Sequence, residues 1–192
     1  MLPVTLRTAR LVLDLPVERD IGPVTRHCQD PLFERVLTTP WPYTEQHARG
    51  FLTEYVPAAW ESGSELTWAV RTADGAPLIG VISLRAERGE LGFWLGAEHR
   101  GSAYMAEATN AVCEWALDGG QRGLEVVLWR ANEGNIASAM VARAAGFRRT
   151  TPADSTVPGR DGATLAGWCA ERRAVADPDA YASWEPILGR TR

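Results

Sequence analysis

Between residues 90 and 147 the chain alternates in an order that few folds accommodate: strand, small-residue turn, long helix, strand, short helix. The run from Glu90 to Leu95 has the apolar and aromatic content of a strand. It leads into Glu98, His99, Arg100, Gly101, Ser102, Ala103, Tyr104 and Met105, which open a helix extending to about Leu117. The first turn of a helix leaves backbone N–H groups without partners, and the helix dipole adds partial positive charge. Small side chains then let a phosphate approach that backbone. The unit predicts a phosphate-bearing ligand seated where the helix begins. In isolation the turn also reads as a helix start carrying a solvated arginine.

Composition removes several competing chemistries. The chain has 192 residues, enough for one full core, and reads as a single domain over residues 1–192. No apolar run reaches the length of a membrane span, and the first residues lack a long apolar leader, so a cytoplasmic location is expected. All 20 basic residues are arginine. Without lysine there is no Walker-type phosphate loop, no pyridoxal Schiff base and no kinase strand lysine. There is also no Gly-x-Ser-x-Gly elbow. A net charge of −4 argues against nucleic acid as a whole-surface partner. Cys28, Cys113 and Cys169 are far apart, with neither disulfide nor zinc spacing, and Cys113 reads as a core residue. His27, His47 and His99 are scattered in sequence, so no metal site is expected.

Hydrophobic periodicity places the remaining elements. Residues 8–14 read as a first strand and 17–29 as a helix ended by Asp30-Pro31. Trp41 lies in a proline-stiffened loop, and Thr44 caps a helix over about residues 45–61, with Pro57 predicting a kink or early end. Residues 66–71 and 78–85 flank Asp74-Gly75 as a hairpin. In the helix over 102–117, Tyr104, Ala108, Ala111, Val112 and Trp115 share one side, and Gly119-Gly120 terminates it. Further strands are expected over 124–130, 147–151 and 163–172, a helix over 135–145, a polar loop over 152–162, and a short helix in the tail. The sum is an α/β (α+β) domain: a central mixed, mostly antiparallel sheet of about six to seven strands flanked by helices.

Residues 90–147 resemble the GNAT superfamily of acyl-CoA-dependent N-acyltransferases, most closely the RimJ/RimL-type branch that acetylates the N-termini of ribosomal proteins. The family's phosphate turn, Arg/Gln-x-x-Gly-x-Gly/Ala, is matched by Arg100, Gly101, Ser102, Ala103, Tyr104 and Met105. Ala106-Glu107-Ala108, the strand before the turn, Asn135-Ile136-Ala137-Ser138 and Gly146-Phe147 are similar to the same branch. Two departures stand out. Ala103 replaces the second glycine and is expected in a right-handed turn, its methyl restricting close approach; Met105 must point away from the phosphates.

The resemblance implies acetyl-CoA as acyl donor and no metal. Residues 100–105 would cradle its pyrophosphate, Asn135 would touch the pantetheine arm or serve only as a helix cap, and an N–H near Leu95 would face the thioester oxygen. Many members carry a tyrosine seven residues after that asparagine; here the position is Ala142. The RimJ/RimL branch has a serine three residues on, which is Ser138. Ser138 is therefore the candidate acid or thiolate partner. Glu90 is the candidate base, or else a polar strand start, and Glu107 reads as a dipole-complementing carboxylate. Trp94 and Trp129 read as core, Trp41 and Tyr43 as walls of the acceptor pocket.

The resemblance also implies a primary amine as the acceptor. An α-amine near pKa 7.7–8.0 is roughly one tenth neutral at neutral pH, whereas deprotonating a lysine amine costs about 4–5 kcal/mol. A site without an obvious strong base favours the α-amine of a protein or peptide N-terminus, attacked directly in a ternary complex. A small-molecule acceptor (aminoglycoside, polyamine or amino acid) and a catalytically silent acyl-CoA sensor are the alternatives. No nucleic-acid or membrane partner is expected, and the chain is a monomer or homodimer.

Overall fold

The computed structural model describes residues 2–118, 122–152 and 155–189. Strands β1 (Leu6–Arg7), β2 (Val12–Asp14), β3 (Glu65–Arg71), β4 (Gly80–Arg85), β5 (Glu90–Leu95), β6 (Val127–Asn132), β7 (Arg148–Arg149), β8 (Thr156–Pro158) and β9 (Thr164–Arg172) form a continuous sheet. Its order is β1-β2-β3-β4-β5-β6-β9-β7, with β8 paired on β9. Nine strands appear among the described residues where six to seven were expected. The additional ones, β1 and β8, are two or three residues long, too short for alternation to register in sequence; β7 lies within the strand expected over residues 147–151. The expected strand over 8–14 is instead the second arm of a small hairpin, β1 against β2.

Every pairing is antiparallel except β5 with β6. That parallel contact covers only Glu90 opposite Leu128 and Leu91 opposite Trp129. Beyond it β5 stays paired with β4 to Leu95, and β6 stays paired with β9 to Asn132. The two strands therefore part in the middle of the sheet, each anchored on its outer side.

Two apolar clusters cover the two faces. Under α5 (Tyr104–Leu117) and α6 (Ile136–Ala144) lie Leu66, Trp68, Ile82, Leu84, Leu91, Val127 and Trp129. On the opposite face α1 (Ile21–Cys28), α2 (Pro31–Val36) and α3 (Glu45–Gly50) pack on Ala69, Val81 and Leu78. Strand side chains alternate between faces, so Glu90, Trp94, Arg85 and Arg130 project to the second face. Helix α5 buries Met105, Ala108, Thr109, Val112, Cys113 and Ala116, so its apolar face is rotated from the Tyr104–Trp115 side expected.

Asp30-Pro31 does more than end α1. The Asp30 carboxylate accepts from the Leu32 N–H and Pro31 sits at the first helical position, so the pair also starts α2, a helix not foreseen. Helical backbone continues past Pro57, so the early end does not occur. A π-helical turn over Phe51–Tyr55 precedes α4 (Val56–Ser62), placing the proline in that helix's first turn, where its missing N–H leaves no intrahelical gap. The tail folds as expected into α7 (Glu185–Leu188), and Trp184 just before it packs edge-on against Trp129. Gly119-Gly120, expected to terminate α5, lies outside the described residues.

Candidate active site

The parted strands open into a cavity of about 570 Å³. Its walls are β5, β6, the turn before α5, the cavity-facing side of α6, and α2 with its following residues. The strand ladder explains why the gap can hold an extended arm. The Gly96 N–H donates to the Ile79 carbonyl, so alternate residues of β5 bond to β4. That alternation turns the backbone groups of Phe93 and Leu95 toward β6, which no longer faces them. The Leu95 carbonyl is taken by the Arg100 Nε, leaving its N–H directed into the gap.

The turn is built from two left-handed residues. Gly101 has φ 80° and Ala103 has φ 59°, ψ 12°. This corrects the expectation of a right-handed Ala103: the residue occupies the conformation its glycine counterpart adopts freely, and an alanine there is strained. Among the described residues, no hydrogen bond engages the N–H of Gly101, Ser102 or Ala103. With the free amides of the first α5 turn they form a concave row of donors suited to a diphosphate. Met105 is buried in the main core, as its role away from the phosphates requires. Gly101, Ala103, Tyr104 and Met105 line the cavity and Ser102 does not; the Ser102 carbonyl accepts from Arg10 instead. Arg10 also lies over the Tyr104 ring and pairs with Glu107. Glu107 in turn accepts from the Thr8 hydroxyl, so it latches the β1–β2 hairpin to α5, a stronger structural role than dipole compensation alone.

Arg100 is not aimed at the phosphate position. It pairs with Asp30 at 2.6 Å and lies over the Phe33 ring. Burial works against the Asp30 charge, but the Leu32 N–H and the Arg100 guanidinium outweigh it and hold the carboxyl below its ordinary range. The donors left open at the turn are therefore its backbone amides, with the Arg100 guanidinium already engaged.

Two expected catalytic side chains sit in the cavity wall in different states. Asn135 caps α6, its Oδ1 accepting from the Ser138 N–H at 3.2 Å. The Ser138 Oγ accepts from the Trp129 indole at 3.0 Å. An indole nitrogen only donates, so the hydroxyl proton of Ser138 remains to be given, and no described residue takes it. Ala142 is fully buried in the main core, so the position where other members carry tyrosine does not face this cavity. Glu90 departs from the expectation of a base. One carboxylate oxygen accepts from Arg85 at 2.7 Å, the other from Arg130 at 2.8 Å. Each oxygen thus carries one charge-assisted bond from a guanidinium group, the setting of an ion-pair partner.

Trp41 and Tyr43 do not line the cavity. Tyr43 is 5% exposed in the second apolar cluster, and burial pushes its phenol up. The acceptor-side wall is instead Leu32, Phe33, Val36 and Leu37, from the α2 region that sequence reading passed over, with Trp94 against Phe33. Trp129 is core and cavity wall at once. Arg85 and Arg130 were also missed; the signal available was a charged residue in each of two otherwise apolar strands.

The histidines are less scattered than sequence suggested. His27 and His99 rings lie 5.9 Å apart, and Glu98 approaches both. The His27 Nε2 donates to the Leu78 carbonyl, and burial lowers its pKa. A Cβ on Gly96 would collide with that ring, so the glycine is what lets His27 pack beneath the turn.

A parted pair of strands beside a row of free helix-start amides is the architecture that the resemblance implied, and comparison with known families agrees. Residues 10–148 match the model of the acetyltransferase (GNAT) domain. The chain belongs to the GNAT family. As a GNAT protein it is an acyltransferase, with acetyl-CoA as its acyl donor. Among solved structures, the RimL ribosomal L7/L12 α-N-protein acetyltransferase in complex with coenzyme A shares the fold. Its TM-score is 0.73 at 16% identity, over 91% of this chain and 100% of that one. The microcin C7 self-immunity acetyltransferase MccE, in complex with acetyl-CoA and AMP, aligns with TM-score 0.72 at 15% identity, covering 86% and 93%. The ribosomal-protein-S5-alanine acetyltransferase from Vibrio fischeri aligns with TM-score 0.71 at 17% identity, covering 91% and 100%. A search of curated protein sequences gave no significant match. Among the described residues, no helix of this GNAT domain is long and apolar enough to cross a membrane.

Proposed function

We propose that the protein transfers acetyl from acetyl-CoA to the α-amine of a protein or peptide N-terminus, by direct attack within a ternary complex. The observation that carries the reading is the indole-held Ser138 in the wall of the gap between β5 and β6. The diphosphate would sit over the amides of residues 101–106, with Asn135 beside the arm that runs into the gap. There the gap-facing N–H groups of Phe93 and Leu95 would pair with the arm, and that of Phe93, nearer the point where the strands part, would stabilise the oxyanion of the tetrahedral intermediate. The nitrogen lone pair attacks the thioester carbonyl, the C–S bond breaks as the tetrahedral intermediate collapses, and the proton shed by the nitrogen ends on the departing thiolate, which Ser138 holds by a hydrogen bond or serves as a proton relay. A serine hydroxyl is a weak acid, so hydrogen bonding to sulfur is its main contribution.

Glu90 acts in this scheme as an ion-pair partner that fixes Arg85 and Arg130, not as the base. Among the described residues the carboxylate in the cavity wall is Glu90, ion-paired on both oxygens, which supports an acceptor that is partly neutral on its own, as an α-amine is. A second, smaller cavity of about 280 Å³ shares Leu37, Thr38, Asn132 and Pro158 with the first. The continuous groove favours an extended acceptor over a compact one. The decisive experiment is thiol release from acetyl-CoA across peptides, aminoglycosides, polyamines and amino acids. Turnover is expected on peptide N-termini, and faster turnover on lysine side chains or polyamines overturns the reading.

A further inference from the structure

The floor of the acceptor side is a row of charges running across four strands. Tyr55 donates to Glu65 of β3 at 2.6 Å, and Glu65 lies 3.7 Å from Arg85 of β4. Arg85 meets Glu90 of β5, and Glu90 meets Arg130 of β6. Strand register sets the row: Glu65 is opposite Arg85, and Arg85 is opposite Glu90. Arg130 ends it at the point where β5 and β6 part, one residue beyond the last parallel pair. Only its Nε is engaged by a described side chain, and its side chain is 30% exposed within the cavity wall.

The charged residues lining the cavity are Arg85, Glu90, Arg100 and Arg130; Glu65 backs Arg85 and Asp30 pairs with Arg100, so the charge left open toward the cavity is the Arg130 end of the row. That charge is poorly placed to serve a coenzyme diphosphate. Glu90 and Leu95 mark opposite ends of β5, and the turn follows Leu95, so the Arg85–Glu90–Arg130 group is about 16 Å or more from the turn along the strand. It also faces the α1–α3 side of the sheet, opposite α5.

We propose that Arg130, held by Glu90 and backed by Arg85, receives a carboxylate carried by the acceptor close to its reacting amine. This rests on the acyl-transfer reading and narrows its substrate class to amines that bear an anion. The planar guanidinium offers its two outer nitrogens as a fork, which matches a carboxylate and no neutral amide. An acidic side chain at a peptide N-terminus and the α-carboxylate of a free amino acid both supply that chemistry.

The test compares matched acceptors in the intact protein: peptides beginning with Asp against Asn and Glu against Gln, and free amino acids against their amides. The acidic member is expected to be favoured by roughly ten- to hundred-fold in kcat/KM, mostly through KM, as a charge-assisted hydrogen bond allows. In Arg130→Gln the acidic-to-neutral ratio should fall toward one, and Arg130→Lys should restore part of it. The affinity for coenzyme A and the melting temperature are measured in parallel to show that fold and donor site survive. Preference confined to the peptide pairs, or to the free amino acids, identifies the source of the carboxylate. Equal rates within every pair for the wild type, or an Arg130→Gln ratio like that of wild type, overturns the assignment. Absence of thiol release with every acceptor, by contrast, overturns the acyl-transfer reading itself.

Discussion

Ala103 and Ser138 show how single side chains tune a shared architecture. Ala103 is the only non-glycine residue with positive φ among the described residues. A left-handed alanine is disfavoured by about 1 kcal/mol or slightly more. Ala103→Gly should therefore raise the melting temperature by about 2–4 °C in a domain of this size and leave a closer approach for the diphosphate. Thermal melts with and without coenzyme A check both parts; a lower melting temperature would contradict the strain. Ser138 has two jobs, one toward the indole of Trp129 and one toward the gap. Ser138→Ala should lower kcat by about tenfold or more at nearly unchanged coenzyme affinity. It should also cost about 1–3 kcal/mol of stability, because the indole N–H loses its acceptor. Unchanged kcat in a variant that binds coenzyme removes the serine from the chemistry.

At the scale of elements, the acceptor groove depends on two segments that have no strong pattern of their own. Helix α2 is only Pro31–Val36, and β8 is only Thr156–Pro158. Arg160 ties them together: its guanidinium donates to the carbonyls of Phe33, Glu34, Leu37 and Thr39, at 2.6–3.0 Å. These include carbonyls at the end of α2, where a cation is electrostatically favourable. No carboxylate partner competes for it among the hydrogen bonds and ion pairs of the described residues. Arg160→Met should release this clamp, costing about 2 kcal/mol of stability. It should also raise the acceptor KM without weakening coenzyme A, because the donor side is built on β5, α5 and α6. Steady-state kinetics with a peptide acceptor, alongside a coenzyme titration, separate the two. An unaltered KM would mean that the clamp does not shape the groove.

For the molecule as a whole, the charge inventory gives stability a direction in pH. Burial keeps His27 neutral in the folded state, with a pKa below its usual value. The unfolded chain therefore binds a proton below about pH 6.5 that the folded protein refuses, so stability is full above that point and falls as pH drops toward the lowered value. Glu98, held down chiefly by a backbone N–H, adds a loss at lower pH, below about 4.5. Glu107 adds to it: burial opposes its charge, but Thr8 and Arg10 prevail. Urea unfolding at pH 7.5, 6 and 5 should show a falling midpoint, and a flat or rising one would refute the assignment of a neutral buried His27. Much of the architecture was legible before any coordinates. Runs rich in apolar, aromatic and β-branched residues marked β3 to β6, Asn135 and Gly146 marked the limits of α6, and small residues marked the turn before α5. Those signals are local, set by backbone conformation and by one-sided burial over neighbouring residues. What tertiary structure alone decided was which charged groups were already paired. Glu90 and Arg100 have the right chemistry for base and phosphate ligand, yet Arg85, Arg130 and Asp30, brought up from other elements, commit both to ion pairs. Tyr43 likewise became core and Ala103 left-handed. Each outcome depends on residues far apart in the chain, or on the exact path of a turn, and no spacing along a sequence encodes the distance between two side chains that only the folded sheet brings together.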